Sequence, residues 1–149
     1  YKPAQSLISH GKSGLVKVHK SRTSFSKTVG RVRGALNDQY QFSTFVVGPS
    51  NQLAFSAVRA AAENPGKLYN PLFIYGSSGL GKTHLLHAAG NEILQQRKDA
   101  LILYQSADQF VNEFINAIRF NKVYQFEARY KDVDVLLIDD IQFISHKEQ

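Results

Sequence analysis

Leu72-Phe73-Ile74-Tyr75-Gly76-Ser77-Ser78-Gly79-Leu80-Gly81-Lys82-Thr83 is the stretch on which the reading of this chain turns. Its first four residues form a short apolar run between Pro71 and Gly76, the pattern of a buried parallel strand. The next eight match G-x-x-x-x-G-K-[ST], the Walker A pattern. A chain that wraps closely around a polyphosphate must turn its amide N–H groups inward, and Gly76, Gly79 and Gly81 permit both the dihedrals and the approach. A helix predicted from about Lys82 to Gln96 adds its positive dipole end. Lys82 would then reach the β- and γ-phosphates of ATP, and the Thr83 hydroxyl would ligate Mg2+. A glycine turn that binds nothing is the alternative, and the strand before and helix after weigh against it.

Downstream, Ala100 to Tyr104 reads as a second buried strand. Ser106 with Gln109 forms a capping-box pattern, and Phe110, Val111, Phe114, Ile115 and Ile118 repeat at helical spacing to about Phe120. Val123, Phe126 and Tyr130 indicate a shorter second helix. Val133 to Ile138 is a third strand that ends in Asp139-Asp140. Strands alternating with helices imply an α/β fold with a parallel sheet, whose ligands gather at the C-terminal strand edge. Asp139 there can hold Mg2+, directly or through water, and Asp140 can polarise the water that attacks the γ-phosphate. His84 and His87 lie three apart on the helix after the loop; without a third ligand nearby, packing or capping is the expected role. Asp108 sits where it complements a helix dipole. The stripe Phe110, Phe114, Ile118 is expected to be core.

Upstream, Tyr40, Phe42, Phe45, Val46 and Val47 lead to Gly48-Pro49-Ser50-Asn51, where Ser50 or Asn51 could cap a helix that runs to about Glu63 and stops at Pro65-Gly66. Residues 1–36 differ in kind. They hold Lys2, Lys12, Lys17, Lys20, Arg22, Lys27, Arg31 and Arg33 and no acidic residue, whereas the rest of the chain has more acidic than basic residues, so the excess behind the net charge of +6 lies in this segment. It reads as a flexible, disordered basic arm, with a solvated tether favoured over contact with DNA phosphates or acidic phospholipids. The chain of 149 residues, 43% apolar and 20% charged, allows one compact domain. Absence of cysteine excludes disulfides and thiolate metal sites, and no apolar run approaches the ~18 residues of a membrane span. A cytoplasmic location is the expectation. The lack of any methionine, position 1 included, suggests a piece of a longer chain or a processed product.

These residues resemble the AAA+ domain of the bacterial DnaA replication-initiator family. The resemblance runs through Phe45 to Gln52, Asn70 to Gly76, Gly79 to His87, Phe110 to Arg119 and Val133 to Phe143. Lys82-Thr83-His84-Leu85-Leu86-His87 and Leu137-Ile138-Asp139-Asp140-Ile141-Gln142-Phe143 are its most selective parts. It implies a three-layer P-loop NTPase fold over residues 37–149. It further implies an ATP-dependent initiator that assembles as a filament on double- and single-stranded origin DNA, opens the duplex, and works with the replicative helicase or its loader. Val47 and Asn51 fall in the segment that holds adenine in the family. A helix pair at about 106–131 corresponds to the initiator-specific insertion, with Ile115 at the position expected to touch single-stranded DNA.

The departures set further expectations. Asp108 stands where the family usually has Glu, which puts a hydrolytic role for it in doubt, and position 149 is Gln where basic residues commonly help to grip DNA. The family's strands 4 and 5, arginine finger and lid find no counterpart, so the parallel sheet is expected to be incomplete. Its order, 5-1-4-3-2, leaves a gap between the strand before the loop and the strand of Asp139, with unpaired edges and a tendency to associate. ATPase activity is expected of the full-length protein and little of this part alone. A regulatory ATP-binding module without hydrolysis and a related helicase loader are the alternative readings.

Overall fold

A computed structural model describes residues 13–18, 32–33 and 36–146. Five strands, β1 (Ser13–Val18), β2 (Val32–Arg33), β3 (Leu72–Tyr75), β4 (Ile102–Ser106) and β5 (Val135–Asp139), accompany four helices. These are α1 (Gln52–Glu63), α2 (Lys82–Gln96), α3 (Ala107–Arg119) and α4 (Val123–Lys131), with 3-10 turns at Phe42–Thr44 and Ile141–His146.

The strands form one sheet in the order β2-β4-β5-β1-β3. Strands β2, β4 and β5 are mutually parallel, whereas β1 runs antiparallel to both β5 and β3. The register aligns Ser106 with Asp139, so β4 and β5 end level with one another. Because Leu72 and Leu137 both lie opposite Val16, β3 points the same way and its end reaches the same edge. The C-terminal ends of three strands therefore converge where a ligand of an open α/β sheet would sit.

Two sequence expectations need correction here. The arm was expected to be unstructured throughout, yet Ser13–Val18 and Val32–Arg33 are strands of the sheet; its other residues up to 35 lie outside the described ones. The anticipated gap between β3 and β5 is filled by β1, which pairs with both. Exposed ladder edges present free N–H and C=O groups to any extended segment, and Leu15-Val16-Lys17-Val18 has the branched residues that suit a strand. The sheet is accordingly mixed at its centre.

Alternation along β4 places helices on both faces. Tyr104 meets His87 of α2, whereas Gln105 donates to the Tyr130 hydroxyl of α4. The core on the α1/α2 side contains Val58, Ala62, Leu85, Leu86, Ala89, Ile93, Ile102, Val135 and Leu137, with Leu36, Phe42, Phe45 and Phe55 against it. Helix bounds follow local signals. Helix α3 starts at a complete capping box, in which the Ser106 hydroxyl accepts from Gln109 N–H and the Gln109 side chain accepts from Ser106 N–H. Strand β4 begins two residues later than expected, because the Leu101 N–H is taken by the Asp134 carboxylate.

The α3 stripe is a further correction. Phe110 and Phe114 do pack against Phe126 of α4, but Ile118 is 57% exposed and Phe114 is only partly covered. Helical spacing identifies an apolar face but not what covers it; a short α4 with no fully buried residue covers only part of this one.

Gly90 lets α2 lie close to the sheet: a Cβ there would stand 2.9 Å from Leu36 Cδ1 and 3.0 Å from Leu137 Cδ1. Leu137 is fully buried and has little room to yield. Gly90→Val is expected to destabilise by about 1–3 kcal/mol through overpacking. Arg59→Ala, which removes an exposed ion pair with Glu63, should cost under about 1 kcal/mol. Urea unfolding of the two variants side by side checks the contrast.

Candidate functional site

The loop from Gly76 to Thr83 joins the end of β3 to the start of α2. Gly81 is the helix N-cap and has φ +86, and a Cβ on it would lie 2.6 Å from Phe45 Cε2, so both conformation and space require glycine. Lys82 Nζ donates to Gly76 O at 2.8 Å and Ser77 O at 2.7 Å, which folds the ammonium over the loop's mouth. A cavity of about 460 Å³ opens there, lined by Tyr75, Gly76, Ser77, Ser78, Lys82 and Gln142.

Beside this cradle lies the end of β5. Asp139 is 4% exposed, and three donors converge on its carboxylate. Thr83 Oγ1 donates to Oδ2 at 2.7 Å, Tyr104 Oη donates to the same oxygen at 2.9 Å, and the Asp140 N–H donates to Oδ1 at 2.9 Å. Among the described residues no Lys or Arg forms an ion pair with it. A buried carboxylate held only by neutral donors keeps its charge available to a cation, so the donor set fits a divalent metal. Asp140 turns outward, exposed, with φ +57, a left-handed conformation that Asp tolerates better than most residues. Gln142 Nε2 donates to its Oδ1 at 3.3 Å.

Sequence reasoning singled out the loop, Thr83, Asp139 and Asp140, and these residues lie together. Asp108 lies one residue into α3, off the neighbouring end of β4, and accepts from Asn112 Nδ2 on its own helix. Asn51 stands at the N-cap of α1, but its side chain does not cap. Instead it bridges the preceding loop, accepting from Gly48 N–H at 2.7 Å and donating to Val46 O at 3.0 Å. Val47 is 45% exposed beside it. Ile115 lies on α3, 44% exposed, outside this cluster.

Tyr104, Tyr40 and Asn91 were not anticipated. Asn91 Nδ2 donates to the carbonyls of Asn37 and Tyr40, and His87 Nδ1 accepts from the Asn37 N–H. His84 Nε2 lies 2.8 Å from Gln41 O. The Tyr40 ring rests against both histidines, and His87 in turn against Tyr104 at 4.3 Å. The histidines thus tie the segment before α1 to the loop helix. Only a polar residue interrupting the apolar face of α2 hinted at this. Burial lowers the His87 pKa, with Asp139 opposing. Burial, with the hydrogen bond to Asp139 next, raises that of Tyr104. Partial burial, with the hydrogen bond to Glu113 adding to it, pushes Tyr130 up to about 12.

A glycine-rich cradle at a helix N-terminus, a lysine across its mouth and an adjacent buried acidic strand end define the nucleotide site of the P-loop NTPase class. Residues 36–149 match the family described as the bacterial DnaA ATPase domain, and the chain belongs to that family. The chromosomal replication initiator protein DnaA of Chloroflexus aurantiacus is 56% identical over 115 residues, 77% of this chain and 24% of that protein. Domain III of the Thermotoga maritima replication initiation protein DnaA superposes with TM-score 0.70 at 46% identity, covering 74% of this chain and 46% of that one. A replication initiator DnaA bound to AMPPCP and single-stranded DNA gives TM-score 0.66 at 49% identity, covering 76% and 35%. The chain spans about a quarter of the length of the curated relatives it matches. Among the described residues no helix is long and apolar enough to cross a membrane.

Because His87 is buried and accepts through Nδ1, the fold binds it neutral, and its pKa lies below the ordinary 6.5. A depressed histidine contributes stability that is present above the unfolded pKa and is lost as pH falls toward the folded one. Stability should therefore decline from about pH 6.5 downward, and His87→Gln should flatten that decline. Urea midpoints measured between about pH 7.5 and about pH 5.5 test this.

Proposed function

We propose that this chain is the ATP-binding core of a bacterial replication initiator, with Lys82 on the β- and γ-phosphates and Thr83 and Asp139 holding Mg2+. The observation that carries the proposal is the 2.7 Å contact between Thr83 and Asp139 beside the Gly76–Thr83 cradle. It joins a hydroxyl and a carboxylate suited to one hard cation at the place where phosphate oxygens would arrive. Membership of the DnaA ATPase domain family and the AMPPCP-bound relatives support the same reading. Mg2+ bound there would draw charge from the β- and γ-phosphates.

The chain's own residues supply the rest. Loop amides and Lys82 orient the polyphosphate, and Val47 and Asn51 receive adenine on the loop that Asn51 stiffens. Asp140, exposed at the strand end and steadied by Gln142, polarises the attacking water. Asp108, in the first turn of α3 with one oxygen accepting from Asn112, is the further carboxylate candidate for hydrolysis. Ile115 offers an exposed apolar contact for single-stranded DNA, in keeping with the relative bound to it. Within the whole initiator, ATP-dependent self-association on double-stranded origin DNA, engagement of the helicase or its loader, contact with acidic phospholipids and a cytoplasmic setting belong to the same reading.

In the full-length protein, Lys82→Ala should abolish ATP binding in a filter or fluorescence titration. Unchanged affinity would sink the assignment. Asp140→Asn should retain ATP binding while hydrolysis falls about 10²-fold or more, the scale expected for loss of a catalytic base.

A further inference from the structure

The Asp139 carboxylate is held by one side-chain donor that the phosphate-site motif does not include. Tyr104 Oη donates to Oδ2 at 2.9 Å, on the same oxygen that Thr83 reaches at 2.7 Å, while the Asp140 N–H fixes Oδ1. A carboxylate oxygen has two lone-pair directions, so a donor in one of them decides where the other points. On Oδ2 the Thr83 hydroxyl takes one direction and Tyr104 the other, so with Oδ1 held by the Asp140 N–H the tyrosine decides how the carboxylate faces Thr83.

Tyr104 is itself well placed for this task. The β4–β5 register sets Tyr104 opposite Leu137, two residues before the strand end at Asp139. Its ring lies 4.3 Å from the His87 ring, which the Asn37 N–H and the Tyr40 ring hold in turn. The phenol is thus anchored by the segment that leads into the Val47–Asn51 loop. A rigid donor aimed at a carboxylate from outside the ligand set is how proteins orient metal ligands and tune affinity.

We propose that Tyr104 is a positioning residue of the metal site: its hydroxyl holds Asp139 Oδ2 where it accepts the Thr83 proton, which turns the lone pairs of the Thr83 oxygen, with the carboxylate beside them, toward one divalent cation. This inference rests on the reading of Asp139 as a Mg2+ residue. It concerns metal affinity and leaves contact with the phosphates to the loop.

The test is a titration of the full-length protein with MnCl2 in the presence of AMPPCP, with free Mn2+ read by electron paramagnetic resonance. Tyr104→Phe keeps the ring against His87 and removes only the donor. Mn2+ affinity should fall about tenfold or more, while AMPPCP binding in EDTA and the thermal midpoint stay at the wild-type values. Unchanged Mn2+ affinity in Tyr104→Phe overturns the proposal. So does a variant that fails to fold or loses metal-free nucleotide binding equally, since either marks the hydroxyl as structural. Asp139→Asn separates the two levels: if it leaves Mn2+ affinity intact, the metal reading of Asp139 fails, whatever Tyr104 does.

Discussion

A carboxylate buried at the end of a central strand is costly unless donors surround it, and the arrangement around Asp139 meets that requirement with groups drawn from three elements. Strand β5 carries the acid, β4 brings Tyr104 alongside, and the first turn of α2 brings Thr83. Each donation holds only if the elements keep their spacing to within a few tenths of an ångström. Gly90 and the core around Leu86 and Leu137 fix the height of α2 above the sheet. The site is therefore a consequence of how α2 packs, and the packing is in turn committed to the site.

The segment before α1 is drawn into the same arrangement. Asn37, Tyr40 and Gln41 are bound by Asn91, His87 and His84, so a stretch with little regular structure follows the surface of α2 closely. Satisfying buried polar groups on the helix thereby also sets the path of the chain toward Phe45, whose ring lies against Gly81 and His84. A neutral His87 is part of that solution, because a protonated Nδ1 could no longer accept the Asn37 N–H.

The two faces of the sheet behave differently. On the α1/α2 side, small and aliphatic residues form a closed core. On the α3/α4 side, contact relies on aromatic rings, with Phe110 edge-on to Phe126 and Tyr130 and Phe114 tilted against Phe126, and on the Arg129–Glu113 pair. These few ring contacts hold two helices together without enclosing them, and Ile115 and Ile118 remain open to solvent.

From sequence alone, the local features were legible. The strand, glycine loop and helix from Leu72 to Gln96, the capping box at Ser106 and Gln109, and the stop at Pro65-Gly66 all depend on neighbours within a few residues. Periodicity and turn chemistry therefore sufficed, and they also brought Thr83 and Asp139 into one hypothesis. What the tertiary structure decided are matters of long-range pairing and cover. Ser13–Val18 lies between β3 and β5 because open ladder edges accept any suitable extended segment, a competition no local pattern reports. Tyr104 reaches Asp139 because the β4–β5 register aligns Ser106 with Asp139, and register is fixed by the whole sheet rather than by either strand. Ile118 stays exposed because burial depends on the partner's reach, and the nine residues of α4 cover only part of the face that helical spacing marks as apolar.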